Sequence, residues 1–200
     1  MTTYFVTGTD TDVGKTVVSA LLVDQLNATY WKPIQSGTND VEDKNEVMKL
    51  VGIDESRILP CRYELTEPLS PHEAARIDGV EIKLDEIEKP EVEGNLIIEG
   101  AGGVYVPINN DHMMIDLIEK MNCETIVVAR SGLGTINHTL LTLKALRDKG
   151  IAITGVILNG PVNLKNKKAI EQFGKVRILG EIPYLEKRDF LMLEKPLFQL

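Results

Sequence analysis

The sequence predicts an α/β fold, a mostly parallel β-sheet flanked by helices on both faces, and three observations predict it. Short apolar runs alternate with longer segments of helical period along the 200 residues. Several of those runs are apolar throughout, as strands buried on both faces of a parallel sheet are, rather than alternating as half-exposed strands do. Strand followed by helix at this spacing requires right-handed crossovers and a layered architecture.

Taken in order, strands are predicted at 4–7, 29–32, 96–99, 125–129 and 153–158, with a weaker one at 176–180. Helices are predicted at 15–26, 43–51, 72–77, 114–120, 137–149 and 165–173. Gly150 closes the fifth of these, because a residue free to take positive φ ends a helix at little cost. No internal repeat, low-complexity tract or linker interrupts the pattern, so 200 residues read as a single domain with a sizeable core. The most irregular stretch, 35–44, is polar and acidic and sits between a strand and a helix. Open α/β sheets hold their ligands in such loops, at the carboxyl ends of strands.

Composition narrows the function. Hydrophobic residues make up 43% and charged residues 26%, as in a soluble globular protein. The net charge is −8, and no Lys/Arg cluster is dense enough to form the basic stripe that nucleic acid requires. Lys165, Lys167 and Lys168 read as a solvated helix start. Cys61 and Cys123 offer neither a disulfide framework nor metal-ligand spacing. The N-terminus, MTTYFVTG, has no basic start and no apolar core of a signal peptide, and no segment approaches the ~20 apolar residues of a membrane span. A cytoplasmic location without membrane contact is the expectation.

The stretch GTDTDVGKT at 8–16 follows an apolar strand and opens an amphipathic helix, the setting that makes a phosphate-binding loop (P-loop) credible. Its glycines let the backbone curl so that N–H groups face a polyphosphate. The following helix adds its positive N-terminal end. Lys15 would reach the β- and γ-phosphates, and the Thr16 hydroxyl would ligate Mg²⁺. Five residues, Thr9 to Val13, separate the first glycine from Gly-Lys, where the general motif has four.

Three further residues sit where strands are expected to end. Glu99 closes NLIIE and precedes GAGG, so its carboxylate would emerge at the carboxyl edge of the sheet as a metal ligand. Lys32, held extended by Pro33, could aim at the same pocket as Lys15. Two lysines on one site suit a carboxylate or carbamate that is being phosphorylated. Asn159, in ILNGP, reads equally as an adenine contact or a turn residue. No Asn-Lys-x-Asp guanine-reading motif is present.

The chain resembles the dethiobiotin synthetase family. The resemblance rests on the five-residue spacing of the loop, Lys-Pro-x-x-Ser-Gly at 32–37, EPLSPHEAA at 67–75, EGAGG at 99–103, Gly-x-Ile-Asn-His at 134–138 and GEIP at 180–183. It runs from residue 4 to about residue 185. What it implies is a single-domain P-loop fold, a homodimer with sites shared across the interface, and a cyclic urea closed from 7,8-diaminononanoate (7,8-diaminopelargonate), CO₂ and ATP. The products are dethiobiotin, ADP and phosphate, by way of a carbamate and a carbamic–phosphoric anhydride.

By the same resemblance Lys32, Lys15 and Thr11 serve catalysis, and Ser36, Asp12 and Asn137 contact the substrate, with Asn137 reaching a neighbouring subunit. The implied nucleotide contacts are Asp12, Val13, Gly14, Lys15, Thr16, Val17, Glu99, Gly102, Asn159 and Pro183. The implied Mg²⁺ set is Thr16, Asp43 and Glu99, with Asp40 and Glu46 as rivals to Asp43. Arg130, Ser131 and Gly132 stand where members often carry a lysine. His138 is expected to cap or pack its helix and His72 to serve a helix start. The tail KRDFLMLEKPLFQL departs from the family's adenine-enclosing segment, so weak base selectivity is expected. Two other P-loop classes compete. A cobyrinic-acid amidating ligase carries a glutaminase domain for which 200 residues leave no room. A partition-type ATPase switch has a second lysine inside the loop, which is Thr/Asp-rich here.

Overall fold

A computed structural model describes residues 1–39, 42–183 and 197–200. The strands are β1 (Thr3–Gly8), β2 (Thr29–Trp31), β3 (Ile34–Ser36), β4 (Ile58–Leu59), β5 (Tyr63–Leu65), β6 (Leu96–Gly103), β7 (Glu124–Arg130), β8 (Ile153–Asn159) and β9 (Ile178–Ile182). The helices are α1 (Lys15–Gln25), α2 (Asp43–Val51), α3 (Pro71–Asp78), α4 (Met114–Met121), α5 (Thr135–Asp148) and α6 (Leu164–Gly174). Seven strands form one sheet in the order β4-β2-β6-β1-β7-β8-β9, and every pairing in it is parallel. β3 and β5 make a separate parallel pair.

The two-residue period of a strand divides the core in two. Phe5, Ile98 and Val127 face one side, where they join residues of α3, α4, α5 and α6. Their neighbours Val6, Ile97 and Val128 face the other, with α1 and α2. This is why the strands read as apolar throughout, and it puts helices on both faces, as expected. In α1, Val18, Ala20, Leu21, Leu22 and Val23 are all buried, because α2 packs over the side that the sheet leaves open.

Several boundaries differ from the sequence expectation. β6 does not stop at Glu99 but runs on through Gly103, with Gly8 paired to Gly103 across a register shift. Small residues let the two backbones stay close there. β9 begins two residues later than expected, and α5 begins two residues earlier because Gly134, at φ 89°, caps it. β3, β4 and β5 were not anticipated: segments of two or three residues carry no readable period, and their pairing is decided by distant partners.

Candidate active site

β6 lies between β2 and β1, so the segments leaving these three strands meet at one edge of the sheet. Tyr30 of β2 pairs with Ile97 of β6, and both side chains join the core on the α1/α2 side. Two residues further along each chain, alternation places Lys32 and Glu99 on that same side. α1 supplies Thr16 from its first turn and α2 supplies Asp43 as its first residue.

The four side chains converge. Thr16 Oγ1 lies 2.8 Å from Asp43 Oδ1 and 3.0 Å from Glu99 Oε1. Lys32 Nζ donates to Glu99 Oε1 at 3.1 Å and also to Asp43 Oδ2. The other carboxylate oxygen of Glu99, Oε2, accepts from the Tyr30 hydroxyl at 3.1 Å. Gln35 braces α2: its Oε1 accepts from the Asp43 amide at 3.2 Å while its Nε2 donates to Ser36 O at 2.7 Å. Lys15 Nζ donates back to Asp10 O at 3.1 Å, so the lysine folds over its own loop.

Burial and charge compete here. Burial works against the charge on Lys15 and lowers its pKa, which Glu99 only partly offsets. Burial opposes the charge on Lys32 as well, yet Glu99 and Asp43 overcome it and hold this pKa above the ordinary lysine value. For Asp43, burial alone would raise the pKa, but Lys32, Thr16 and Gln35 outweigh it and hold the carboxyl below its usual range.

A cavity of about 820 Å³ opens over this cluster. Thr11, Asp12, Gly14, Lys15, Thr16, Lys32, Ser36, Asp43, Glu99 and Gly102 all line it. Gly14 sits at φ 92°, and a Cβ there would stand 2.0 Å from Asn159 Nδ2. Gly102, at φ 64°, lets the EGAGG segment approach the Thr11 hydroxyl. Ser36 Oγ is buried with no hydrogen-bond partner among the described residues, although its residue lines the cavity.

Other anticipated residues fall outside the cavity. Val13 is buried in the α1/α2 core, and Val17 packs against that core. Asn159 ends β8 and donates to Val13 O at 3.0 Å, bracing the loop from behind. Pro183 follows β9, whose Ile182 pairs with Asn159. Asn137 is exposed on α5, away from its own chain's cavity. Asp43, rather than Glu46, meets Thr16; Asp40 and most of the tail segment, 187–196, lie outside the described residues. Glu99 is corrected in one respect: it is 1% exposed inside β6, not at a free strand end. His138 is likewise corrected: it is exposed and lines a smaller cavity with Thr9 and Tyr105 instead of packing within its helix. His72 bonds Ser70 Oγ at 3.0 Å at the start of α3, the architectural role expected of it.

Sequence reasoning missed Tyr30 and Gln35. A signal existed for Tyr30, which lies two residues before Lys32 and so must share its face. Gln35 had none, since its partner Asp43 reaches it only through the α2 packing.

The donor set fits magnesium. Thr16 Oγ1 lies against both Asp43 Oδ1 and Glu99 Oε1, and its single hydroxyl proton can serve only one of them at a time. A threonine hydroxyl and two carboxylates within hydrogen-bond distance of it are the hard oxygen donors that Mg²⁺ takes. Among the described residues no group of three His, Cys, Asp or Glu assembles into a metal cage. Mg²⁺ held by one or two carboxylates and substrate phosphates needs none.

A family model described as an AAA domain matches residues 2–190. An ATP-dependent dethiobiotin synthetase of Paramagnetospirillum magneticum is 52% identical over 178 residues, covering 89% of this chain and 86% of its own. The chain belongs to the dethiobiotin synthetase family. A second dethiobiotin synthetase, from Rhodopseudomonas palustris, is 48% identical over 184 residues, covering 92% of this chain and 88% of its own. Membership of the dethiobiotin synthetase family makes the chain an ATP-dependent ligase. The cell-division ATPase MinD of Pyrococcus furiosus superposes with a TM-score of 0.58 at 16% identity, over 92% of this chain and 84% of that one. That likeness shows the P-loop fold alone. Among the described residues no helix is long and apolar enough to cross a membrane.

Proposed function

We propose that this chain catalyses the ring closure of biotin biosynthesis, in which 7,8-diaminononanoate, CO₂ and ATP give dethiobiotin, ADP and phosphate. The observation that carries the proposal is Lys32, a buried lysine held by Asp43 and Glu99 on the wall of the cavity that Lys15, Thr11 and Ser36 also line. A plain nucleotide switch has no use for a second buried cation there.

One amine of the diamine adds to CO₂ and loses a proton, giving a carbamate. A carbamate oxygen then attacks the γ-phosphorus as ADP leaves. The second amine attacks the carbonyl carbon of the carbamic–phosphoric anhydride, phosphate departs, the amine loses its proton and the urea ring closes. Lys15 and Lys32 bear the negative charge that gathers on the transferred phosphoryl group and the carbamate. Thr11 and Asp12, at the rim, face the diamine, and the Ser36 hydroxyl, without a partner among the described residues, bonds it. Thr16, Asp43 and Glu99 would hold Mg²⁺, which when bound would neutralise triphosphate charge. The loop amides and Lys15 take the phosphates, while Asn159 and Pro183 mark the base side at the ends of β8 and β9.

Pairing as a homodimer belongs to the same proposal. Leu133 and Leu141 are 102% and 59% exposed on either side of Asn137, an apolar surface suited to a second copy. That copy would bring Asn137 to its neighbour's substrate. ADP release measured with and without diaminononanoate and bicarbonate tests the reaction: turnover that requires both supports it. ATP hydrolysis indifferent to both would overturn it in favour of a switch ATPase.

A further inference from the structure

Tyr30 is 0% exposed, and its ring fills the α1/α2 core beneath the site. A phenylalanine would fill that space without burying a hydroxyl, which is costly wherever the group is left unpaired. The hydroxyl is paired, and its partner is Glu99 Oε2 at 3.1 Å. The two oxygens of this carboxylate therefore have separate duties. Oε1 faces Thr16 Oγ1 at 3.0 Å and Lys32 Nζ at 3.1 Å, the side where the metal donors gather. Oε2 is turned away from them, into the core.

We infer that Tyr30 is a positioning residue that pins Glu99 through Oε2, so that Glu99 presents Oε1 alone toward the cation held with Thr16 and Asp43. A carboxylate can pivot between one-oxygen and two-oxygen coordination, and a hydrogen bond from the protein to the outer oxygen removes that freedom. β2 is rigid here because it is paired on both sides, to β4 and to β6, and Tyr30 takes part in both pairings. The inference rests on Glu99 being a metal ligand.

The probe is Mn²⁺ titrated into the enzyme saturated with ADP, with the free ion read by electron paramagnetic resonance. Loss of such an outer-shell partner weakens metal binding by about tenfold or more. Tyr30→Phe is therefore expected to raise the Mn²⁺ dissociation constant about tenfold, and to raise by the same factor the Mg²⁺ concentration that gives half-maximal rate. A purely structural hydroxyl would lower the melting temperature and leave both metal constants within twofold, and that result overturns the inference. Glu99→Gln separates the two layers of the argument. If it too leaves Mn²⁺ affinity unchanged, Glu99 is not a ligand and the underlying assignment fails. If it weakens binding while Tyr30→Phe does not, only the role given to Tyr30 fails. The double variant completes the cycle: on top of Glu99→Gln, the tyrosine change is expected to alter affinity by less than twofold, because its target has gone. A further tenfold loss in the double variant counts against the inference.

Discussion

Replacing Lys32 with Gln removes the cation shared by two carboxylates, one fully buried and one with a side chain 26% exposed. Breaking a buried ion pair costs about 3–5 kcal/mol, because the surviving charge stays in a poor solvent. Asp43 has some access to water, so the lower figure, about 3 kcal/mol, is the expectation. Unfolding entropy of about 2.1 cal/mol/K per residue over 200 residues is about 0.4 kcal/mol/K, so the melting temperature should fall by about 7 °C in the absence of metal. Excess Mg²⁺ should restore most of that loss, because a dication can take the ammonium's place between Asp43 and Glu99, while ring closure stays abolished. The pH dependence has a definite sign. In the native protein Asp43 titrates below its unfolded value and Lys32 above its own. Their pairing therefore stabilises the fold between the two unfolded values, and is lost as pH falls through the folded value of Asp43 or rises through that of Lys32. In Lys32→Gln the unpaired Asp43 carboxylate is relieved by protonation, so the deficit against wild type should shrink as the solution is acidified toward about pH 4. Calorimetric melts with EDTA and with Mg²⁺, across pH, measure this. A metal-free melting temperature within about 2 °C of wild type, roughly 1 kcal/mol, would refute the reasoning.

Two more outcomes follow from the loop and the thiols. Gly14→Ala must carry a side chain at φ 92°, about 1–2 kcal/mol of strain, and push aside an Asn159 amide only 2.0 Å from the new Cβ. Its KM for ATP should rise at least about tenfold in the ADP-release assay, and a value within twofold of wild type would contradict the geometry. Burial is the main reason that Cys61 and Cys123 are both pushed up to about 11. At about pH 8 their thiolate fraction is about a two-hundredth of that of a free cysteine with pKa about 8.5. Both should react with a thiol-specific disulfide reagent about two hundredfold more slowly than free cysteine, and labelling of either at the free-cysteine rate would contradict this.

The residues of the site were legible because the P-loop writes its chemistry into contiguous sequence. Lys15 and Thr16 follow a strand and open a helix, and the extra residue before Gly14 separates this loop from the general motif. The long elements were legible too: apolar strands and 3.6-residue periods come from local burial on one or two faces, and α2 begins at Asp43 as its sequence predicts. Asn159 is the instructive intermediate case. Its place at a strand end was readable, but its amide turns out to be engaged with Val13 O at 3.0 Å.

What the sequence determined by itself is the set of chemical groups and the order of the longer strands and helices, since both depend on neighbours along the chain. The tertiary structure decided which groups meet. Asp43 and Thr16 are 27 positions apart, Glu99 and Thr16 83 apart, and Tyr30 and Glu99 69 apart. Only the crossover connections and the β2-β6-β1 order bring them together. That same order makes β6 a central strand and buries Glu99, which the sequence placed at the end of its strand, on the carboxyl edge of the sheet. Registers between distant strands and the packing of α2 on α1 are set by the whole core at once, and no local pattern contains them.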